Sequence, residues 1–133
     1  MSNSAIYTVN SAQPALVADA QIPFGSVIRR FGQNLKLDGD ALVACGSGYY
    51  EVNVDVVFVP SAIGPVTIKL LSGDSEVPGA FDTVYAASAN NPVSLHISSP
   101  VIRLCGCDCA RTLGVQISAA GTLTNMGVRV IKI

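Results

Sequence analysis

The sequence predicts an all-β protein, a jelly-roll β-sandwich of about eight to ten antiparallel strands. Three observations lead there. Apolar and polar residues alternate with period two in five segments. Turn-forming residues separate those segments at intervals of about 8 to 14 residues. No segment carries an apolar stripe at i, i+3, i+4, i+7 over three turns, so nothing reads as an amphipathic helix. The 133 residues hold no internal repeat, linker or low-complexity tract, and 1–133 reads as one domain. Residues 1–20, rich in Ala, Ser and Asn, read as a looser N-terminal arm.

The first turn signal is Asp38-Gly39, a two-residue hairpin candidate. The strongest alternation follows, with Tyr50, Val52, Val54, Val56 and Phe58 on one face and Tyr49, Glu51, Asn53 and Asp55 on the other, before Val57 and Val59 turn that second face apolar. Val66, Ile68 and Leu70 alternate with Thr67 and Lys69, and Ser72-Gly73-Asp74 then supplies a tight turn. The stretch FDTVYAASA is β-branched and runs into Asn90-Asn91-Pro92, so it reads as strand and loop. Val93, Leu95 and Ile97 alternate with Ser94, His96 and Ser98; Leu113, Val115 and Ile117 alternate with Gly114 and Gln116. After Ala120-Gly121, Val128 and Val130 oppose Arg129 and Ile131. Pro60, Pro65, Pro78, Pro92 and Pro100 sit at expected strand ends or edges, where a missing N–H costs little.

Half the residues are hydrophobic, the mean hydropathy is positive, and 13% are charged, about half the usual share. A disordered chain needs the opposite balance. The net charge is −1 and the densest basic run is Arg29-Arg30, which excludes a nucleic-acid binder. The charge-free stretch Thr83–Ile102 is broken by Ser88, Asn90, Asn91, Pro92, His96 and Pro100, so it is no membrane-spanning helix. The N-terminus has neither the positive region nor the continuous apolar run of a secretory signal, so synthesis in the cytosol is expected. So small a domain with so few charges is expected to hide part of its surface in an oligomer.

The stretch ALVACGSGYYEVNVDVVFVPSAIGPVTIKLLSGDSEVPGA resembles the jelly-roll domain of complement globular heads and tumour-necrosis-factor-like ligands. The shared pattern is Gly48-Tyr49-Tyr50 opening a long alternating strand, then a second such strand, VTIKLLSGDSEV, ending in a polar turn. The order NPVSLHISSPVIRL, TLGVQIS and MGVRVIKI is also similar, and the resemblance spans residues 40–133. SVIRRFG…GYYEV is most similar to the versions carried by firmicute phages as head-fibre or decoration proteins. The resemblance implies three subunits packed about an axis through the outer face of the sheet holding the Gly-Tyr-Tyr strand and the last strand. Carried onto this chain, that face is Tyr49, Glu51, Asn53, Asp55, Val57, Arg129 and Ile131. A buried Glu51 or Asp55 needs a partner, and Arg129 is a suitable one. The chain departs from many relatives in lacking a collagen-like stalk, so anchoring falls to the N-terminal arm or to docking.

Cys105-Gly106-Cys107-Asp108-Cys109 is the most unusual local feature. In an extended strand these thiols lie on one side at roughly 6.5–7 Å steps, a spacing that strains a disulfide between neighbours. Reduced structural thiols, a disulfide through Cys45 or between subunits, and a thiolate metal site of Cys45, Cys105, Cys107 and Cys109 all remain open, although zinc sites use wider spacing. His96 is the single histidine, so any Ser-His or Cys-His chemistry must pass through it, and it reads as a surface residue. Asp38 and Asp40 lack the twelve-residue calcium pattern and read as turn residues. Gly46-Ser47-Gly48 lacks the lysine of a phosphate loop.

These observations lead to an expectation of a non-enzymatic, cofactor-free structural protein, a homotrimeric phage capsid decoration or head-fibre protein acting by self-assembly. Its expected partners are its own copies and a major capsid protein or host-surface glycan, at the virion surface. The alternative is a bacterial surface or spore-associated adhesin, a carbohydrate-binding jelly-roll module. The absence of Trp and an aromatic content of 6% give that alternative few residues for sugar stacking.

Overall fold

The computed structural model describes residues 4–32, 34–38, 41–44, 48–73, 75–98, 102–104 and 111–133. Among them it shows thirteen strands, ten of which have four residues or more. They are β1 (Ser4–Asn10), β2 (Ala15–Leu16), β3 (Ala20–Gln21), β4 (Ser26–Phe31), β5 (Leu35–Asp38), β6 (Ala41–Ala44), β7 (Gly48–Pro60), β8 (Gly64–Ser72), β9 (Ser75–Ala86), β10 (Val93–Ser98), β11 (Ile102–Leu104), β12 (Arg111–Ile117) and β13 (Gly121–Lys132). All pair antiparallel, in a seven-stranded sheet ordered β10-β7-β13-β1-β4 and a six-stranded sheet ordered β5-β6-β12-β8-β9. The short strands β11 and β2 extend the first sheet and β3 the second. The fold is the expected jelly-roll sandwich. None of its helices is long and apolar enough to cross a membrane, since the described residues form none.

The core lies between the sheets and is built by the alternation seen in the sequence. Tyr50, Val52, Val54, Val56 and Phe58 of β7 meet Val66, Ile68 and Leu70 of β8, with Leu113, Val115 and Ile117 of β12 and Val128 and Val130 of β13. In β13 a bulge between Leu123 and Asn125 inserts one residue. The inward positions therefore run Leu123, then Met126, Val128 and Val130, and Arg129 and Ile131 face out. In β9 a larger irregularity, opposite Leu70, places Pro78 on the edge strand of its sheet, where no ladder bond is lost.

The N-terminal segment differs from the expected loose arm. Residues 4–10 form β1, paired along its length with β13 on one side and β4 on the other. Its inward residues are Ser4, Ile6, Thr8 and Asn10, three of them polar, which is why no apolar alternation marks this strand. Ser4 Oγ donates to Asn34 Oδ1 at 2.8 Å and accepts from the Asn34 N–H at 3.2 Å. Asn10 Nδ2 donates to the Pro23 carbonyl at 2.8 Å, and Asn10 Oδ1 accepts from the Ala12 N–H at 3.1 Å. Such bonds make a buried polar group tolerable. Gly25 ends the loop before β4 at φ +87°, and a Cβ there would stand 2.3 Å from the Val9 carbonyl oxygen. Only glycine satisfies both conditions.

The turn expected after Ser72 is present: Gly73 has φ +62°, and Ser72 pairs with Ser75. β5 and β6 pair through Asp38↔Ala41, which keeps Asp38 in the strand rather than in the two-residue turn expected at Asp38-Gly39, while Gly39 and Asp40 lie outside the described residues.

Candidate functional site

The outer face of the seven-stranded sheet gathers the residues singled out in the sequence. Alternation along β7 turns Tyr49, Glu51, Asn53, Asp55 and Val57 away from the core. The register of β13 then sets Arg129 beside Asn53 and Ile131 beside Glu51. Cross-strand pairing produces three rows across the sheet. One is His96, Asp55, Gly127 and Val9; the next is Ser98, Asn53, Arg129, Tyr7 and Arg29; the third is Glu51, Ile131, Ala5 and Phe31. Tyr7, Arg29 and Phe31 were not among the candidates, because β1 and β4 carry no period-two apolar signal. All six residues of β4 are exposed, as its place at the sheet edge allows.

The middle of this face is polar and hollow. Gly127 has no side chain, and the Tyr7 ring covers it: a Cβ there would lie 3.5 Å from Tyr7 Oη. A depression of about 400 Å³ results, lined by Tyr7, Asn53, Asp55, His96, Gly127 and Arg129. Within the subunit Asp55, exposed in the single chain, pairs with His96 Nδ1 and not with Arg129, the partner expected for a buried carboxylate. The reason is register: Asp55 stands directly opposite His96 of β10 and Gly127 of β13, while Arg129 is one row further along. The pair is largely exposed in a single chain, so it contributes under about 1 kcal/mol to folding. The His96 backbone N–H points outward to Asp82 Oδ2 of β9 at 2.9 Å. This carboxylate occupies a donor that the edge strand β10 would otherwise offer to another chain.

Beside the hollow lies an apolar groove of about 380 Å³, lined by Ala5, Tyr7, Phe31 and Ile131 together with Arg29 and Arg129. Phe31 is 57% exposed, Tyr7 41% and Ile131 36%. Tyr49, at 54%, adds a further ring at the start of β7. The face thus has an apolar, basic side toward β4 and an acidic side where β7 carries Glu51 and Asp55. Such a face suits burial against protein rather than chemistry on a small substrate. His96 is engaged by Asp55, and among the described residues no serine hydroxyl hydrogen-bonds to it. The four cysteines Cys45, Cys105, Cys107 and Cys109 lie outside the described residues, as do Gly46 and Ser47. Among the described residues no cluster of three His, Cys, Asp or Glu could hold a metal.

No protein-family model matches the chain, and no curated protein matches it in sequence. Its shape does match solved structures. Murine APRIL superposes with a TM-score of 0.72 at 18% identity, covering 98% of this chain and 99% of that one. The globular domain of zebrafish complement 1qA protein gives 0.65 at 10% identity over 97% and 95%. The PRD1 vertex protein P5 gives 0.59 at 17% identity over 98% and 96%. The chain therefore has the jelly-roll fold of tumour-necrosis-factor-like ligands and complement globular heads, a fold also taken by a phage vertex protein.

Proposed function

We propose that this chain is a homotrimeric structural protein of a bacteriophage particle, decorating or projecting from the head, and that it works by assembly and docking rather than catalysis. The observation that carries the reading is the outer face of the seven-stranded sheet, where Tyr7, Phe31, Tyr49 and Ile131 remain substantially exposed around a groove. A cyclic trimer needs two different patches of opposite character, and the apolar side with Arg29 and Arg129 and the acidic side with Glu51 and Asp55 support this reading. Tyr49, Glu51, Asn53, Asp55, Val57, Arg129 and Ile131 would line the axis. Burying several hundred Å² of apolar surface per subunit at about 25 cal/mol per Å² gives several kcal/mol before the cost of association. Likeness of shape to the PRD1 vertex protein supports a place on the virion surface, with a major capsid protein as the docking partner.

The genes flanking this one test the particle assignment: neighbouring capsid and portal genes support it. Spore-coat or collagen-like genes would instead point to a bacterial surface adhesin. Peptides of the chain in purified virions, at a constant ratio to the major capsid protein, are the expected biochemical result.

A further inference from the structure

The other side of the sandwich carries a second surface that assembly does not explain. On the outer face of the six-stranded sheet, β9 presents Phe81, Thr83 and Tyr85 in alternation, with Phe81 59% and Tyr85 69% exposed. Four residues of strand separate the two rings by roughly 13 Å. Between and beside them lie hydroxyls and amides. Thr83 Oγ1 and Thr67 Oγ1 share a hydrogen bond of 2.8 Å, and Ser118 Oγ accepts the Thr67 N–H at 2.9 Å. Lys69 and Gln116 stand side by side in the next row. Gln116 Nε2 is fixed by the Asp19 carbonyl at 3.0 Å. Asp19, Thr67, Lys69, Gln116 and Ser118 line a notch of about 30 Å³, large enough for one water or one hydroxyl.

From this geometry we propose that the strip binds a neutral glycan, with pyranose rings against Phe81 and Tyr85 and sugar hydroxyls at Thr67, Thr83, Gln116 and the Asp19 notch. The charge balance selects the ligand. Lys69 is neutralised by Glu76 at 2.9 Å. Asp19 adds a carboxylate with no cationic partner among the described residues, so the net formal charge of the notch is negative and disfavours phosphates, sulfated sugars and nucleic acid. Two rings set apart by a threonine, flanked by fixed donors and acceptors, lack the contiguous apolar centre of a protein interface. A pyranose instead offers one face of C–H groups and a rim of hydroxyls, which the two kinds of residue match. The strip points away from the proposed trimer face, so it needs no second subunit. A trimer would display three copies and gain avidity on a polymeric sugar.

The test is NMR titration of the ¹⁵N-labelled chain with trisaccharides of glucose, mannose, galactose and N-acetylglucosamine, with inositol hexaphosphate as the anionic control. Shifts confined to β8, β9 and β12 on addition of at least one trisaccharide support the proposal. Tyr85→Ala and Phe81→Ala should each weaken that binding by about tenfold. Ile28→Ala, at an exposed position of β4 on the opposite sheet, should leave it unchanged. Silence with all four sugars, binding of the anion alone, shifts mapping to the seven-stranded sheet, or unaltered binding by both β9 variants would each overturn it. None of these results bears on the oligomeric state, so the two readings fail separately.

Discussion

Ile131→Asp is the sharpest probe of the assembly face. Ile131 keeps 36% of its surface in the single chain and sits on β13 between Glu51 and Ala5. Burying a whole isoleucine side chain contributes about 1.5–3 kcal/mol, so covering the remaining third contributes roughly 0.5–1 kcal/mol per subunit. Removing that alone would loosen a trimer only slightly. The carboxylate does far more, because closing the face would bury it beside Glu51, and an uncompensated buried charge costs about 3–5 kcal/mol. The combined penalty, roughly 3.5–6 kcal/mol per subunit, weakens association by at least about 300-fold per contact. In the isolated subunit the new carboxylate reaches water, so denaturant stability should fall by about 1 kcal/mol or less. Sedimentation velocity paired with urea unfolding separates the two effects. The account expects a folded but dissociated variant, and Val17→Asp, on the exposed β2–β3 turn, should assemble normally. An Ile131→Asp protein that sediments as the wild type would refute the face assignment.

Other expectations follow from the same structure. Asp55→Lys removes the His96 partner and sets a second cation near Arg129, so it should dissociate the particle into aggregation-prone single chains, as should Tyr49→Glu; light scattering reads both. Phe58→Ala, at a fully buried core position, should cost about 3–5 kcal/mol in urea unfolding. Gly25→Ala and Gly79→Ala share a positive φ but differ in space: the first Cβ meets the Val9 carbonyl at 2.3 Å, the second meets nothing within 4 Å. Gly79→Ala should therefore cost about 1–2 kcal/mol and Gly25→Ala clearly more, and equal midpoints would contradict the steric argument.

The parts of the fold legible in the sequence are those where one face of a strand is uniformly apolar. β7 is the plainest case, since five inward side chains from Tyr50 to Phe58 alternate without a break. β8, β10 and β12 follow the same rule over shorter spans. β1 escaped it because Ser4, Thr8 and Asn10 face inward, Ser4 and Asn10 being satisfied by Asn34 and the Pro23 carbonyl, partners distant in sequence. Thr8 Oγ1 has no hydrogen-bond partner among the described residues, so no local rule would place it inside. β4 escaped because an edge strand exposed along its length carries no period. For the same reason the groove at Tyr7 and Phe31 was invisible, although the seven candidates on β7 and β13 share one face as the alternation implied. The His96–Asp55 pair depends on the register of strands 41 residues apart. Composition cannot encode that register, so charge alone did not reveal this pair.

The mass of the wild-type particle in solution tests the central claim most directly. Sedimentation equilibrium at micromolar concentration should return three times the 13.7 kDa chain mass, with no growth toward larger species. A stable, monodisperse species of one chain mass would contradict the account, because the groove and rings on the seven-stranded sheet would then be facing water.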